Sequence, residues 1–121
     1  MSLGDLIAIC LALPETEETT PFGPDTLVLK LCGKMFAASG IDDFPVRVNL
    51  KCDPDKALEL RDQYESVQPG YHMNKKHWNT VVLDGSVPEE LVHEMILESY
   101  KLVVSSLKKV DKERILAKLE D

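Results

Sequence analysis

The chain is expected to fold as α+β, an antiparallel sheet with helices packed on one face, and three observations lead there. First, Val46 to Cys52 alternates strictly, with Val46, Val48 and Leu50 apolar and Arg47, Asn49 and Lys51 polar, the pattern of a strand with one face buried and one wet. Second, segments with helical spacing flank the strands instead of alternating with each of them, an order that favours antiparallel pairing over crossover units. Third, turn signals at Gly33-Lys34 sit between two apolar runs, as in a hairpin. At 121 residues, 44% hydrophobic and 29% charged, the composition is that of one globular domain, residues 1–121.

Each element has a local reason. Leu3, Leu6, Ile7, Cys10 and Leu11 share one helical face, and Pro14 ends that helix. Acid and threonine from Glu15 to Thr20, then Pro21-Phe22-Gly23-Pro24-Asp25, read as a loop. Leu27, Leu29 and Leu31 open the hairpin that returns through Met35 to Ala38, and Gly40 to Pro45 leads to the alternating strand. Asp53 as N-cap and Pro54 at the first helical position start a second helix, to about Tyr64, that buries Ala57, Leu60 and Tyr64. His77 to Leu83 reads as a strand. Ser86 to Glu89 matches a capping box before a long helix to about Leu107, with Val92, Met95, Ile96, Ser99 and Val103 inward. Positions 110–121 read as a weakly held charged tail with helical spacing.

Composition narrows function by exclusion. No apolar run is long enough to span a bilayer and no signal-peptide pattern opens the chain, so a cytoplasmic protein is expected. Cys10, Cys32 and Cys52 are dispersed, which predicts neither disulfides nor a zinc site. His72 and His77 are five apart with no acid nearby, so no metal and no cofactor is expected. Neither a phosphate loop nor a nucleophile elbow is present, and an enzyme is not the favoured reading. Cys32 or Cys52 would act with His77 only if folding joined them.

The least scaffold-like stretch is Pro69 to Leu83, which gathers two histidines, two lysines, two asparagines and the single tryptophan. It contains no acid, and neither does Thr26 to Ile41, although the net charge is -7. The strands carry Lys30, Lys34, Arg47 and Lys51, so a locally basic sheet side is expected opposite acidic helices. By parity His77 and Asn79 share one face of their strand and Trp78, Thr80 and Val82 the other. Trp78 is expected in the core, and Tyr71 and His77 are the stacking candidates.

The combination of Leu13-Pro14, Pro21 to Asp25, Gly33 to Phe36, Leu50 to Pro54, Pro69 to Thr80 and Asp84-Gly85-Ser86 resembles the MmcQ/YjbR family of small bacterial proteins. The resemblance runs to about Leu107. It implies the CyaY-like α+β fold, described as a double-wing arrangement, and the DNA-binding label that the family carries. The function expected is therefore binding of DNA through the basic sheet face and the Pro69–Asn79 segment. Arg47, Lys51, Lys75 and Lys76 would contact phosphates. Tyr71, His72, Asn74, His77 and Asn79 would position or read the nucleic acid, with a monomer favoured. Two alternatives stand beside it. One is a small-anion or catalytic pocket lined by Lys51 to Asp53 and His72 to Asn79, and the other a protein-interaction module similar to secretion chaperones.

Overall fold

The structure is a computed structural model that describes residues 1–70 and 73–120. Among these residues the chain runs α1 (Leu3–Leu11), β1 (Thr16–Thr19), β2 (Thr26–Leu31), β3 (Lys34–Gly40), β4 (Arg47–Lys51), α2 (Pro54–Gln63), β5 (Val67–Pro69), β6 (Trp78–Val82), α3 (Glu89–Ser105) and α4 (Lys109–Leu119). The strands form one antiparallel sheet in the order β1-β2-β3-β4-β6-β5. Leu6 and Cys10 of α1, Leu60 of α2, Ile96, Tyr100 and Val103 of α3 and Ile115 of α4 join Leu29, Val48, Leu50 and Val81 in a single core cluster. All four helices therefore cover the same face, and the α+β expectation holds.

Local chemistry explains most boundaries. The Ser2 hydroxyl accepts from Asp5 N at 3.1 Å and the Asp5 carboxylate accepts from Ser2 N at 3.0 Å, a reciprocal cap that starts α1. Asp53 caps α2 by accepting from the amides of Asp55 and Lys56. At the β2–β3 turn Cys32 and Gly33 both have positive φ, 50° and 77°, as a tight hairpin matching the strand twist requires. Register slips between Leu29 and Lys30, whose partners are Ala37 and Met35. Phe36 is the extra residue of this bulge, so Phe36 and Ala37 both enter the core. The Phe36 ring stands edge-on to Tyr100, centroids 5.3 Å apart.

Ser99 ties α3 to the sheet where the bulge leaves backbone groups open. Its hydroxyl accepts from Lys51 N at 2.9 Å and donates to Phe36 O at 2.5 Å, and the residue is fully buried.

Three local expectations are corrected. The segment read as loop after Pro14 contains β1, an edge strand paired Thr16↔Leu31 to Thr19↔Val28. The ladder is made by backbone groups, so glutamates and threonines serve at an edge, where charge also deters a further strand. The capping box at Ser86 does not form. α3 starts after Pro88 with no side-chain cap, because Ser86 bonds the stronger acceptor, the Asp84 carboxylate, at 2.6 Å. These bonds from Ser86 and one from Ser66 hold the Asp84 carboxyl down at about 2. The C-terminal segment is not loosely attached: Ile115 is fully buried, and Glu15 receives Arg114 through two nitrogens at 2.8 Å and Lys118 at 3.0 Å.

Candidate nucleic-acid interface

The register decides which side chains stand on the helix-free face. Val48 pairs with Val81 and Leu50 with Asn79, and Val48, Leu50 and Val81 belong to the helix-covered core. Residues one step away face outward: Arg47, Asn49 and Lys51 of β4, and Trp78, Thr80 and Val82 of β6. Lys30 and Glu17 lie opposite one another on β2 and β1 and point the same way. Among the described residues this face thus carries Lys30, Arg47 and Lys51 against Glu17, with none of the four in a salt bridge. The face is not wholly polar, since Val28, Ala38 and Val82 are buried on it. Between the charges, Thr80 Oγ1 donates to Asn49 Oδ1 at 2.5 Å.

The polar segment before β6 is built as a compact turn. Asn74 Oδ1 accepts from Lys76 N at 2.9 Å, and its carbonyl accepts from His77 N and Trp78 N, the side-chain turn chemistry typical of asparagine. Lys75 and Lys76 are exposed and His77 is half-buried. Gly70 lies so close to Trp78 that a Cβ there would meet the Trp78 Cβ and carbonyl at 3.0 Å, so only glycine fits without displacement. Tyr71 and His72 lie outside the described residues.

Several expected site residues change role. Asn79 is 2% exposed and faces the helices, where its Oδ1 accepts from Arg61 Nε at 2.6 Å and its Nδ2 approaches Ala57 O at 3.5 Å. It clamps α2 to the sheet and cannot touch a ligand on the outer face. Trp78 is the converse: it is half-buried on the outer face, opposite Lys51, rather than in the helix-covered core. Lys34 leaves the basic side, because its Nζ reaches Ser106 O at 3.1 Å and Ser106 Oγ at 3.2 Å, at the carbonyl-rich end of α3 where a cation is favoured.

Arg61 was missed by sequence reasoning. Its guanidinium also donates to the carbonyls of Lys75 and Trp78, so it positions the whole turn. A signal existed: Arg61 stands four residues after buried Ala57, on the inward stripe of α2.

The catalytic alternative gains one contact and loses its chemistry. Cys52 N donates to His77 O at 2.7 Å, so the two residues are neighbours. Burial, followed by the nearby Asp53, pushes the Cys52 thiol upward, opposite to an activated nucleophile. Cys32 sits in the β2–β3 turn beside Arg114, 3.8 Å from Sγ to Nη2. Among the described residues no group of three or more His, Cys, Asp or Glu side chains is arranged to hold a metal, and no helix is long and apolar enough to cross a membrane.

These features define a small α+β domain in which one antiparallel sheet is covered by helices on one side and bears cations on the other. The family model described as YjbR matches residues 11–102. The chain is 42% identical to the Escherichia coli O157:H7 protein YbdF over 107 residues, 88% of each chain. It is 32% identical to YjbR of Escherichia coli K12 over 120 residues, 98% of this chain and all of that one. A crystal structure of a Deinococcus radiodurans protein with the family domain DUF419 superposes with a TM-score of 0.88 at 42% identity, covering 94% of this chain and 87% of the other. The chain belongs to the YjbR family.

Proposed function

We propose that the helix-free face binds nucleic acid through its phosphates, with single strands preferred to duplex. The observation that carries this reading is the charge of that face: Lys30, Arg47 and Lys51 stand against Glu17 in a protein of net charge -7. Arg47 and Lys51 project from the same side of β4, four residues or about 13 Å apart, with Asn49 between them. Trp78 beside Lys51 supplies an aromatic surface next to a cation, the pairing that sheet-based single-strand binders use. Among the described residues no helix stands on this side to enter a major groove. Lys75 and Lys76 extend the basic face at the Trp78 end, and Asn74 and His77 shape the turn that presents them. The other end is acidic, with Asp25, Asp42 and Asp43 in adjoining loops joined by Ile41 N to Asp25 O at 2.9 Å. A bound strand therefore contacts few phosphates, and affinity is weak with a shallow salt dependence.

Fluorescence anisotropy with labelled single-stranded and duplex DNA across a salt series tests this. The expected slope of log K against log salt is about -0.7 per phosphate neutralised on a single strand. Replacing Lys51 and Lys76 by Glu is expected to abolish binding, whereas replacing Lys108 and Lys109 by Glu leaves most of it. Trp78 is the only tryptophan, so its emission should quench when a base stacks on it. Absence of binding at low salt, or equal losses from the two lysine pairs, overturns the reading.

A further inference from the structure

On the helix-covered side, a cleft of about 440 Å³ opens between α2 and α3 above β4 and β6, within the size range of small-molecule sites. Leu50, Leu60, Val81 and Met95 give it an apolar lining, and Cys52 and Asn79 lie against it. Its charged residues are Glu94 and Glu98 on the α3 wall, and Asp53, Lys56 and Lys51 on the side of α2 and β4. Lys51 points its side chain to the other face of the sheet, so the carboxylates outnumber the cation that shares their side. Among the described residues neither Glu94 nor Glu98 makes an ion pair. Two like charges one helical turn apart and unpaired disfavour each other, and a bound cation would relieve them.

Asn79 adds a directional group. Arg61 Nε can only donate, so the Asn79 atom 2.6 Å from it is the carbonyl oxygen and the amide nitrogen lies on the other side. That nitrogen carries two N–H groups and has one long contact, 3.5 Å to Ala57 O. Ala57 O accounts for one of the two N–H groups, and this residue, only 2% exposed, lines the cleft.

We propose that this cleft binds a small apolar molecule carrying a protonated amine and a neighbouring carbonyl, with the amine at Glu94 and Glu98, the carbonyl oxygen at Asn79 Nδ2 and the apolar body on Leu50, Leu60, Val81 and Met95. This is the chemistry of an apolar amino-acid amide or of a peptide N-terminus with an apolar first residue. The excess of carboxylates on the rim argues against a small anion in this cleft. The site lies on the opposite side of the sheet from the basic face, so it stands or falls independently of nucleic-acid binding.

Cys52 provides the readout, since its thiol lies against the cleft and Cys10 is fully buried. In a Cys32→Ser background, the rate of Cys52 modification by a thiol reagent is measured at about pH 6, below the α-amino pKa. Three probes share one body: L-phenylalaninamide is cationic, N-acetylphenylalaninamide neutral and N-acetylphenylalanine anionic. The cation is expected to protect saturably, the neutral probe to require about tenfold more, and the anion to protect least. Replacing Glu94 and Glu98 by Gln, both exposed, should leave the melting temperature in place and remove the advantage of the cation over the neutral probe. Equal protection by all three probes, none by the cation, or an unchanged preference in the double variant overturns the proposal.

Discussion

The two faces of the sheet treat polar groups in opposite ways. On the helix side the buried polar side chains of Ser99 and Asn79 have specific partners, Ser99 joining Lys51 N to Phe36 O and Asn79 taking Arg61 Nε, whereas Thr16 Oγ1 is buried without one; exposed Lys34 closes the end of α3. On the outer face Lys30, Arg47 and Lys51 stand without ion pairs. Burial raises the penalty for an unmet hydrogen bond by removing water as the alternative partner. The hydrogen bonds made beneath the helices are therefore structural, and what they leave over, like the side chains left to water on the outer face, is available for a ligand.

Neighbouring residues of β4 give the largest contrast. Val48 is fully buried and Arg47 exposed. Val48→Asp places an unpaired carboxylate in the core, costing several kcal/mol against a total of about 5 to 15, and thermal or urea melts should find it unfolded. Arg47→Ser should move stability by less than about 0.5 kcal/mol. Equal melting of the two variants would break the assignment of faces.

A finer comparison sets one hydroxyl against another. Ser99→Ala leaves both Lys51 N and Phe36 O without a partner beneath α3, and about 1 to 3 kcal/mol should be lost in urea titration. Thr80→Val removes the bond to Asn49 on the outer face, where water can replace it, and should cost less than about 1 kcal/mol. A larger loss at Thr80 than at Ser99 would mean that the outer face is not open to solvent.

The smallest effect is expected from charge at the Glu15 corner. Hydrogen bonds from Arg114 and then Lys118 hold the Glu15 carboxyl down from an ordinary 4.5 to about 2. A carboxylate depressed in the folded state stabilises fully above its unfolded pKa, and that contribution is lost as pH falls from about 4.5 towards 2. Glu15→Gln should flatten the fall of melting temperature across this window, leaving the part due to Asp84. Arg47→Gln, on the outer face, should leave the acid profile as it is. Parallel profiles for Glu15→Gln and the unmodified protein would remove the corner from the acid response.

Local sequence carried much of the fold. Alternation through Val46–Cys52 identified the inner face, Asp53-Pro54 marked the start of α2, and Gly33 placed the hairpin turn. The Pro69–Leu83 stretch was legible as unusual, yet its internal assignment was not: Asn79 went inward and Trp78 outward. Parity divides β6 into two faces without saying which is covered, because one set holds Asn79 and Val81 and the other Trp78, Thr80 and Val82, both mixed.

What the sequence by itself determined, then, is set within a few residues: period, caps and turns, where backbone sterics and the apolar stripe are sufficient. What only the tertiary structure decided is the partner of each polar side chain. Glu15 meets Arg114 across 99 positions, Lys34 meets Ser106 across 72 and Ser99 meets Phe36 across 63. Such a partner is chosen by which groups lose water together when the helices close on the sheet, and that depends on packing no local pattern encodes.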